Sequence, residues 1–184
     1  MKPTEQLKEE HEAIKLMLRI LEMICKKLES GEEINPEHLS KILEFIKIFA
    51  DKCHHGKEED LLFPAMEKVG IPKEGGPIGV MLLEHDEGRD YIKGMSEAVA
   101  KYKTGDGKAF PKIVENARKY ITLLTQHIDK EDNILYPMAD MHLLKEKQEE
   151  LLSEFERVER EKIGVSKHEE FHKLLNYLKG VYLE

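Results

Sequence analysis

Two stretches of this chain carry the side chains of a metal chemist. The first is His54-His55-Gly56-Lys57-Glu58-Glu59-Asp60-Leu61-Leu62-Phe63-Pro64. It returns in the second half as His127-Ile128-Asp129-Lys130-Glu131-Asp132-Asn133-Ile134-Leu135-Tyr136-Pro137. His54/His127, Lys57/Lys130, Glu58/Glu131, Leu62/Leu135 and Pro64/Pro137 recur identically, and Glu59/Asp132 and Phe63/Tyr136 keep their character. On a helix, residues i and i+4 lie on one face, about 40° apart around the axis. A His-x-x-x-Glu pair therefore presents imidazole and carboxylate side by side, a donor set for a divalent cation.

A second repeat has nearly the same period. Glu10-His11-Glu12 recurs as Glu84-His85-Asp86. The order is His, His-x-x-x-Glu, His, His-x-x-x-Glu, in two copies. A long period with two copies points to a pseudo-symmetric pair of helical hairpins rather than a solenoid.

The elements that must carry these residues read as helices. Leu7, His11, Ile14, Leu18, Leu21, Cys25 and Leu28 follow alternating spacings of four and three, the seam of a bundle helix from about Thr4 to Ser30-Gly31. Asn35-Pro36 opens the next helix as N-cap and first residue. It carries Leu39, Ile42, Leu43, Ile46, Phe49, Ala50 and Cys53 inward, and Pro64 is expected to kink or end it. Residues 70–77, rich in Gly and Pro, form a connector. The third helix repeats the first, with Met81, His85, Gly88, Ile92, Met95, Val99 and Tyr102 on its seam and Gly88 leaving room near the site. The fourth carries Ile113, Ala117, Leu124, His127 and Glu131 toward Pro137. The fold expected is all-α: an up-down-up-down four-helix bundle over 1–141, built from hairpins at about 5–67 and 78–140. A helical extension follows over 142–184, where Ser166-Lys167-His168-Glu169 reads as a capping box for the last helix. The extension is expected to pack outside the bundle or against a partner subunit as a homodimer, and to be dispensable for metal.

Composition sets limits on partners. Charged residues make up 36% of the 184 and hydrophobic ones 40%, which suits helices with solvated faces and one real core. The net charge of −8 disfavours nucleic acid. No apolar run reaches membrane-spanning length and the first residues lack a signal-peptide core, so a cytoplasmic protein is expected, with no membrane partner. Cys25 and Cys53 sit on apolar stripes and read as buried free thiols.

His11, His54, Glu58, His85, His127 and Glu131 thus form the candidate metal set. Four imidazoles and two carboxylates can serve two metals, two His to each, with the carboxylates shared. Coordination positions remain for solvent or a small ligand, and N/O donors without thiolate suit iron, zinc or manganese. One inward His alone would read as a hydrogen-bonded core residue; four at matched positions, two with Glu at i+4, do not. Uncompensated carboxylates in a core would be costly. The repeat alignment selects His54 over His55 and Glu58 over Glu59. His55 and Glu59 are expected at the solvated edge, His168-x-x-x-His172 at a surface or interface, and His38 and His142 at helix ends.

This ordered set resembles the hemerythrin-like HHE cation-binding family, over roughly residues 7–140. The resemblance implies a carboxylate-bridged non-haem di-iron centre, with two iron ions in ferrous or ferric form and an oxo- or hydroxo-bridge. Its ligand would be oxygen, nitric oxide or peroxide. It differs from the oxygen carriers of that family. They place a second His four residues from the first on the third helix, where Met81 and Arg89 flank His85 here. They also end in His-x-x-x-x-Asp, where this chain has His127-x-x-x-Glu131. The pattern is closer to the iron-centre repair branch. The implied roles are binding or sensing of such a ligand, or alternatively reduction of nitric oxide or peroxide, or donation of iron for iron–sulfur cluster repair. No further acid, base or cofactor motif selects an enzyme.

Overall fold

All seven seam residues of the first helix, Leu7 to Leu28, lie inside the protein. A computed structural model describes residues 1–184, and its regular elements are all helices, with no strand. Six helices follow in order: α1 Pro3–Glu29, α2 36–68, α3 Pro77–Lys103, α4 110–142, α5 145–163 and α6 Val165–Tyr182. The first four form the expected bundle. α3 packs along α4, α1 along α4, and α2 against both α1 and α3. As expected, Asn35 caps α2, its Oδ1 accepting from the Glu37 amide at 3.0 Å.

Pro64 and Pro137 do not stop their helices. α2 runs on to Lys68 and α4 to His142. In each case the turn before the proline is widened to an i→i−5 hydrogen bond, from Phe63 N–H to the Glu58 carbonyl and from Tyr136 N–H to the Glu131 carbonyl. A proline disrupts a regular helix because its ring meets the carbonyl four residues back and it has no N–H to donate. The wide turn moves that carbonyl aside, so the helix continues.

The last helix starts differently from the expected capping box. Gly164, at φ +88°, reverses the chain and serves as N-cap without a side-chain bond, leaving Ser166 inside the first turn. Only glycine takes that φ at little cost.

The C-terminal helices pack on the outside of the bundle. α1 buries a second stripe, Met17, Ile20 and Ile24, besides its seam, and it packs against α6 and α5 as well as α4. Phe171, Leu175, Leu178 and Tyr182 of α6 join the main core with that stripe. Leu151 and Phe155 of α5 join a second core with Leu7, Phe63, Met66 and Tyr136. Burial at about 25 cal/mol per Å² makes such aromatic contacts a substantial part of the fold's stability. Phe171 sits edge-on to Phe45 at 5.5 Å between ring centres. His38, near the start of α2 as expected, pairs its Nδ1 with the Tyr182 hydroxyl of α6 at 2.6 Å. No helix is long and apolar enough to cross a membrane.

Candidate metal centre

Each of the four bundle helices delivers an imidazole to one place. α1 brings His11, α2 His54, α3 His85 and α4 His127, and none is more than 2% exposed. Glu58 and Glu131 come with them and are fully buried. The six expected side chains are therefore all brought together.

Their arrangement is a closed ring. Glu58 Oε1 lies 3.6 Å from His54 Nε2 on its own helix and 3.4 Å from His85 Nε2 on α3. Glu131 Oε1 lies 3.2 Å from His127 Nε2 on its own helix and 3.3 Å from His11 Nε2 on α1. Between the carboxylates sit two imidazole pairs: His11 with His54, ring centres 4.7 Å apart, and His85 with His127, 4.8 Å apart. The His85 and His127 Nε2 atoms are only 3.1 Å apart. Each carboxylate thus reaches from one imidazole pair to the other.

The opposite edge of every ring is anchored. His11 Nδ1 lies 2.7 Å from Asp132, His54 Nδ1 2.9 Å from Glu10, His85 Nδ1 2.7 Å from Glu59 and His127 Nδ1 2.9 Å from Glu84. A ring whose Nδ1–H donates to a carboxylate turns its Nε2 lone pair inward, the arrangement that orients histidine toward a metal. These anchors correct the expectation for Glu59, which is not merely a solvated edge residue. They follow the repeat: Glu10 matches Glu84 and Glu59 matches Asp132. The acid before each lone His serves the His of the neighbouring His-x-x-x-Glu, and the acid after each Glu serves a lone His. Lys57 and Lys130 extend the pattern by donating to Glu10 and Glu84.

The charges inside are strained without a cation. His54 Nε2, Glu58 Oε1 and both Glu131 carboxylate oxygens are buried with no hydrogen-bond partner. Buried polar atoms are almost always satisfied, and these four face one another. Burial pulls His11 down, but Asp132 and Glu131 overcome it and push it up to about 9. His85 likewise rises to about 9 through Glu58 and Glu59, and His127 to about 10 through Glu131 and Glu84, both against burial. Burial holds His54 well below its ordinary value. A divalent cation bound to such a set of nitrogen and oxygen donors would satisfy the orphaned atoms, and two groups of these side chains lie close enough to hold one each.

Two residues break the symmetry. Tyr136 donates its hydroxyl to Glu58 Oε2 at 2.8 Å and lies 3.3 Å from His11 Nε2, whereas its counterpart Phe63 has no polar atom to offer. His55, expected at the solvated edge, is only 5% exposed and stacks on His85 with ring centres 3.8 Å apart. The reason is a second wide turn: the Gly56 amide bonds the Asp51 carbonyl, so residues around His55 no longer keep the regular helical angle. Beside His55 a cavity of about 310 Å³ opens between α2 and α3, lined by Asp51, His55, His85, Arg89 and Tyr120. Gly88 borders it as well; a Cβ there would come within 3.4 Å of the Tyr120 ring.

A family model, the hemerythrin HHE cation binding domain, matches residues 2–139. The chain belongs to this hemerythrin-type family. As a hemerythrin-like protein it carries a metal-binding helical bundle, and the matched residues span α1 to α4 with all six central side chains. It is 24% identical over 133 residues to the uncharacterized protein Rv1995 of Mycobacterium tuberculosis, covering 72% of this chain and 51% of that protein. It is 33% identical over 89 residues to the iron-sulfur cluster repair protein YtfE of Yersinia pestis, covering 47% of this chain and 40% of that protein. The chain thus spans about half the length, or less, of these curated relatives. The free thiols of this hemerythrin-like chain, Cys25 and Cys53, are buried as expected, and burial pushes both up to about 12. His142 is exposed and bonds only the Met138 carbonyl of its own helix. His172 is exposed beside the half-buried His168.

Proposed function

We propose that His11, His54, Glu58, His85, His127 and Glu131 hold two metal ions, iron by preference, and that the protein binds or senses a small diatomic or peroxide ligand there. The observation that carries this reading is the inward aim of four carboxylate-anchored imidazoles at two buried carboxylates, three of whose four oxygens lack a hydrogen-bond partner. His11 and His54 would serve one ion, His85 and His127 the other, with Glu58 and Glu131 shared. The donor set is nitrogen and oxygen without thiolate, which also accommodates zinc or manganese. Iron bound there would supply reversible electron transfer and a coordination position for the ligand.

The chain's own residues do the rest. Asp132, Glu10, Glu59 and Glu84 fix the four rings, and Asp132, Glu59 and Glu84 also raise the basicity of His11, His85 and His127. Leu7, Leu62, Phe63, Met81 and Leu135 wall the neighbourhood with apolar surface, which keeps bulk water away. The Tyr136 hydroxyl holds a proton between Glu58 and His11, where it can donate a hydrogen bond. The cavity beside His55 and His85 offers a small molecule an approach. The buried thiols and the acidic surface suit the reducing cytoplasm.

A second reading, reduction of nitric oxide or peroxide or donation of iron for iron–sulfur cluster repair, draws on the similarity to YtfE. One experiment separates them. Anaerobic ferrous protein is exposed to oxygen, nitric oxide or hydrogen peroxide and followed by absorption and electron paramagnetic resonance. A saturable spectral change that reverses on ligand removal supports binding or sensing. Sustained turnover with a reductant supports the enzyme, and iron transfer to an apo iron–sulfur acceptor supports the donor. No spectral change with any of the three contradicts the ligand-binding reading.

A further inference from the structure

We propose that the cavity between α2 and α3 is a binding site for a small aromatic monocarboxylate. The site does not depend on the metal pair, although His85 borders both.

Residue sizes make the space. Gly88 and Ser96 stand about two turns apart on α3 and place almost no side chain between the helices. The facing wall of α2, from Ile46 to His55, is the widened stretch. The resulting volume of about 310 Å³ falls at the lower end of the range of small-molecule sites and far exceeds the need of a diatomic ligand. Its inner walls suit a flat apolar ring. Ile46, Ile92 and Tyr120 are 3%, 6% and 3% exposed, and His55 lies nearly flat against His85, their ring planes 18° apart. Within the lining, Ser96 Oγ is buried without a hydrogen-bond partner, so its hydroxyl is left to donate to an acceptor on the occupant.

The rim decides the charge. Arg89 is engaged by Asp51, Glu59 and Asp86, and Asp51 is engaged by His55 as well. That leaves the exposed Lys47 of α2 and Lys93 of α3, with Glu97 the one other acid of the lining. In a chain of net charge −8, two lysines over apolar walls are a local reversal of charge that favours an anion. Ser96 lies three residues from Lys93, on the same face of α3. A carboxylate at that end accepts from both ammonium groups and from the Ser96 hydroxyl, while its ring rests against Ile46, Ile92 and Tyr120. An acid seated this way covers the outer side of the His55–His85 stack.

The test is calorimetric titration of the full chain with benzoate, benzamide and benzylamine, on metal-loaded and chelated samples shown by circular dichroism to be folded. Benzoate is expected to bind one site in both samples, with a dissociation constant of about 1 mM or tighter. Benzamide has the same shape without the charge and is expected to bind at least about threefold more weakly, and benzylamine more weakly still. Ser96→Phe, which fills the cavity, is expected to weaken benzoate about tenfold or more. The double variant Lys47→Glu/Lys93→Glu changes only exposed residues. It is expected to abolish the preference for benzoate and leave benzamide within about twofold. No saturable benzoate binding, or binding that Ser96→Phe leaves unchanged, would overturn the site. A preference for benzylamine would overturn an acid as its occupant. Binding confined to the metal-loaded sample would put the carboxylate on the metal centre and overturn the cavity as its place.

Discussion

Glu159 of α5 reaches the buried ammonium of Lys57, 2.7 Å away. Lys57 also donates to Glu10 at 2.6 Å, and Glu10 anchors His54. Through this contact the C-terminal extension reaches the framework of the centre at His54. The matching Lys130 is 40% exposed and pairs with Glu84 alone. Lys57 itself is wholly buried, so removing one of its two carboxylates leaves an ammonium under-compensated inside the protein.

From this contact, Glu159→Ala is expected to destabilise the metal-free protein by about 1–3 kcal/mol, read by chemical denaturation. A chain ending near residue 141 keeps all six central side chains and should still take up metal. It also uncovers Met17, Ile20, Ile24, Phe45 and the Lys57 side chain, so it should melt lower and hold metal less tightly on the His11–His54 side. Equal melting temperatures with and without residues 142–184 would contradict the packing described.

Tyr136→Phe copies Phe63 of the other repeat. It removes the hydrogen bond to Glu58 without changing the ring's packing. A loss of about 1–3 kcal/mol in metal-free stability is expected, because a buried carboxylate oxygen loses its donor. Unchanged stability would mean that the hydroxyl contributes nothing there.

Much of this site is legible in the sequence. The seam Leu7–His11–Ile14–Leu18 placed His11 inward because helical periodicity is regular in α1, and the same holds for His85 in α3. His54 and Glu58 were selected over their neighbours by aligning the two repeats. The burial of His55 does not follow from a regular helix, in which adjacent side chains diverge by about 100°. The wide turn at Asp51–Gly56 has no simple residue signature. The anchoring acids were visible as repeats, Glu10/Glu84 and Glu59/Asp132, but each serves a His on a different helix. That pairing emerges only when the helices are packed. The role of α5 was hidden for the same reason, since Glu159 meets Lys57 across a long stretch of chain.

Metal should stabilise the fold. The orphaned oxygens of Glu131 and Glu58 and the Nε2 of His54 gain a partner only when a cation binds. With free metal at about one hundred times the dissociation constant, each site adds about 2.7 kcal/mol. Calorimetry of chelated and metal-loaded protein should show a clear rise in melting temperature on loading. Coincident melting curves would contradict a site that binds metal in the folded state.

The pH dependence has a definite sign. In the metal-free protein His11, His85 and His127 are raised to about 9, 9 and 10. Their pairing with Glu131 and Glu58 is fully present below the unfolded value near 6.5. It is lost as pH rises through 9 to 10. His55 is pushed the other way by burial and by His85, to about 3, so its neutral form stabilises the fold above about 6.5 and that contribution fades as pH falls toward 3. Metal must displace the protons on the first three rings. Apparent affinity should therefore increase from pH 7 to pH 9 with proton release, measurable by titration calorimetry in buffers of different ionisation enthalpy. Affinity that is flat over this range would contradict imidazole coordination by those residues.

Six matched side chains are proposed to hold a pair of metal ions. The direct measurement is elemental analysis of protein reconstituted with ferrous iron without oxygen and then freed of unbound metal. Two iron ions per chain are expected, falling to one or none in His85→Ala and His54→Ala with the helical fold intact. A reconstituted wild-type protein holding one ion or none would contradict the account.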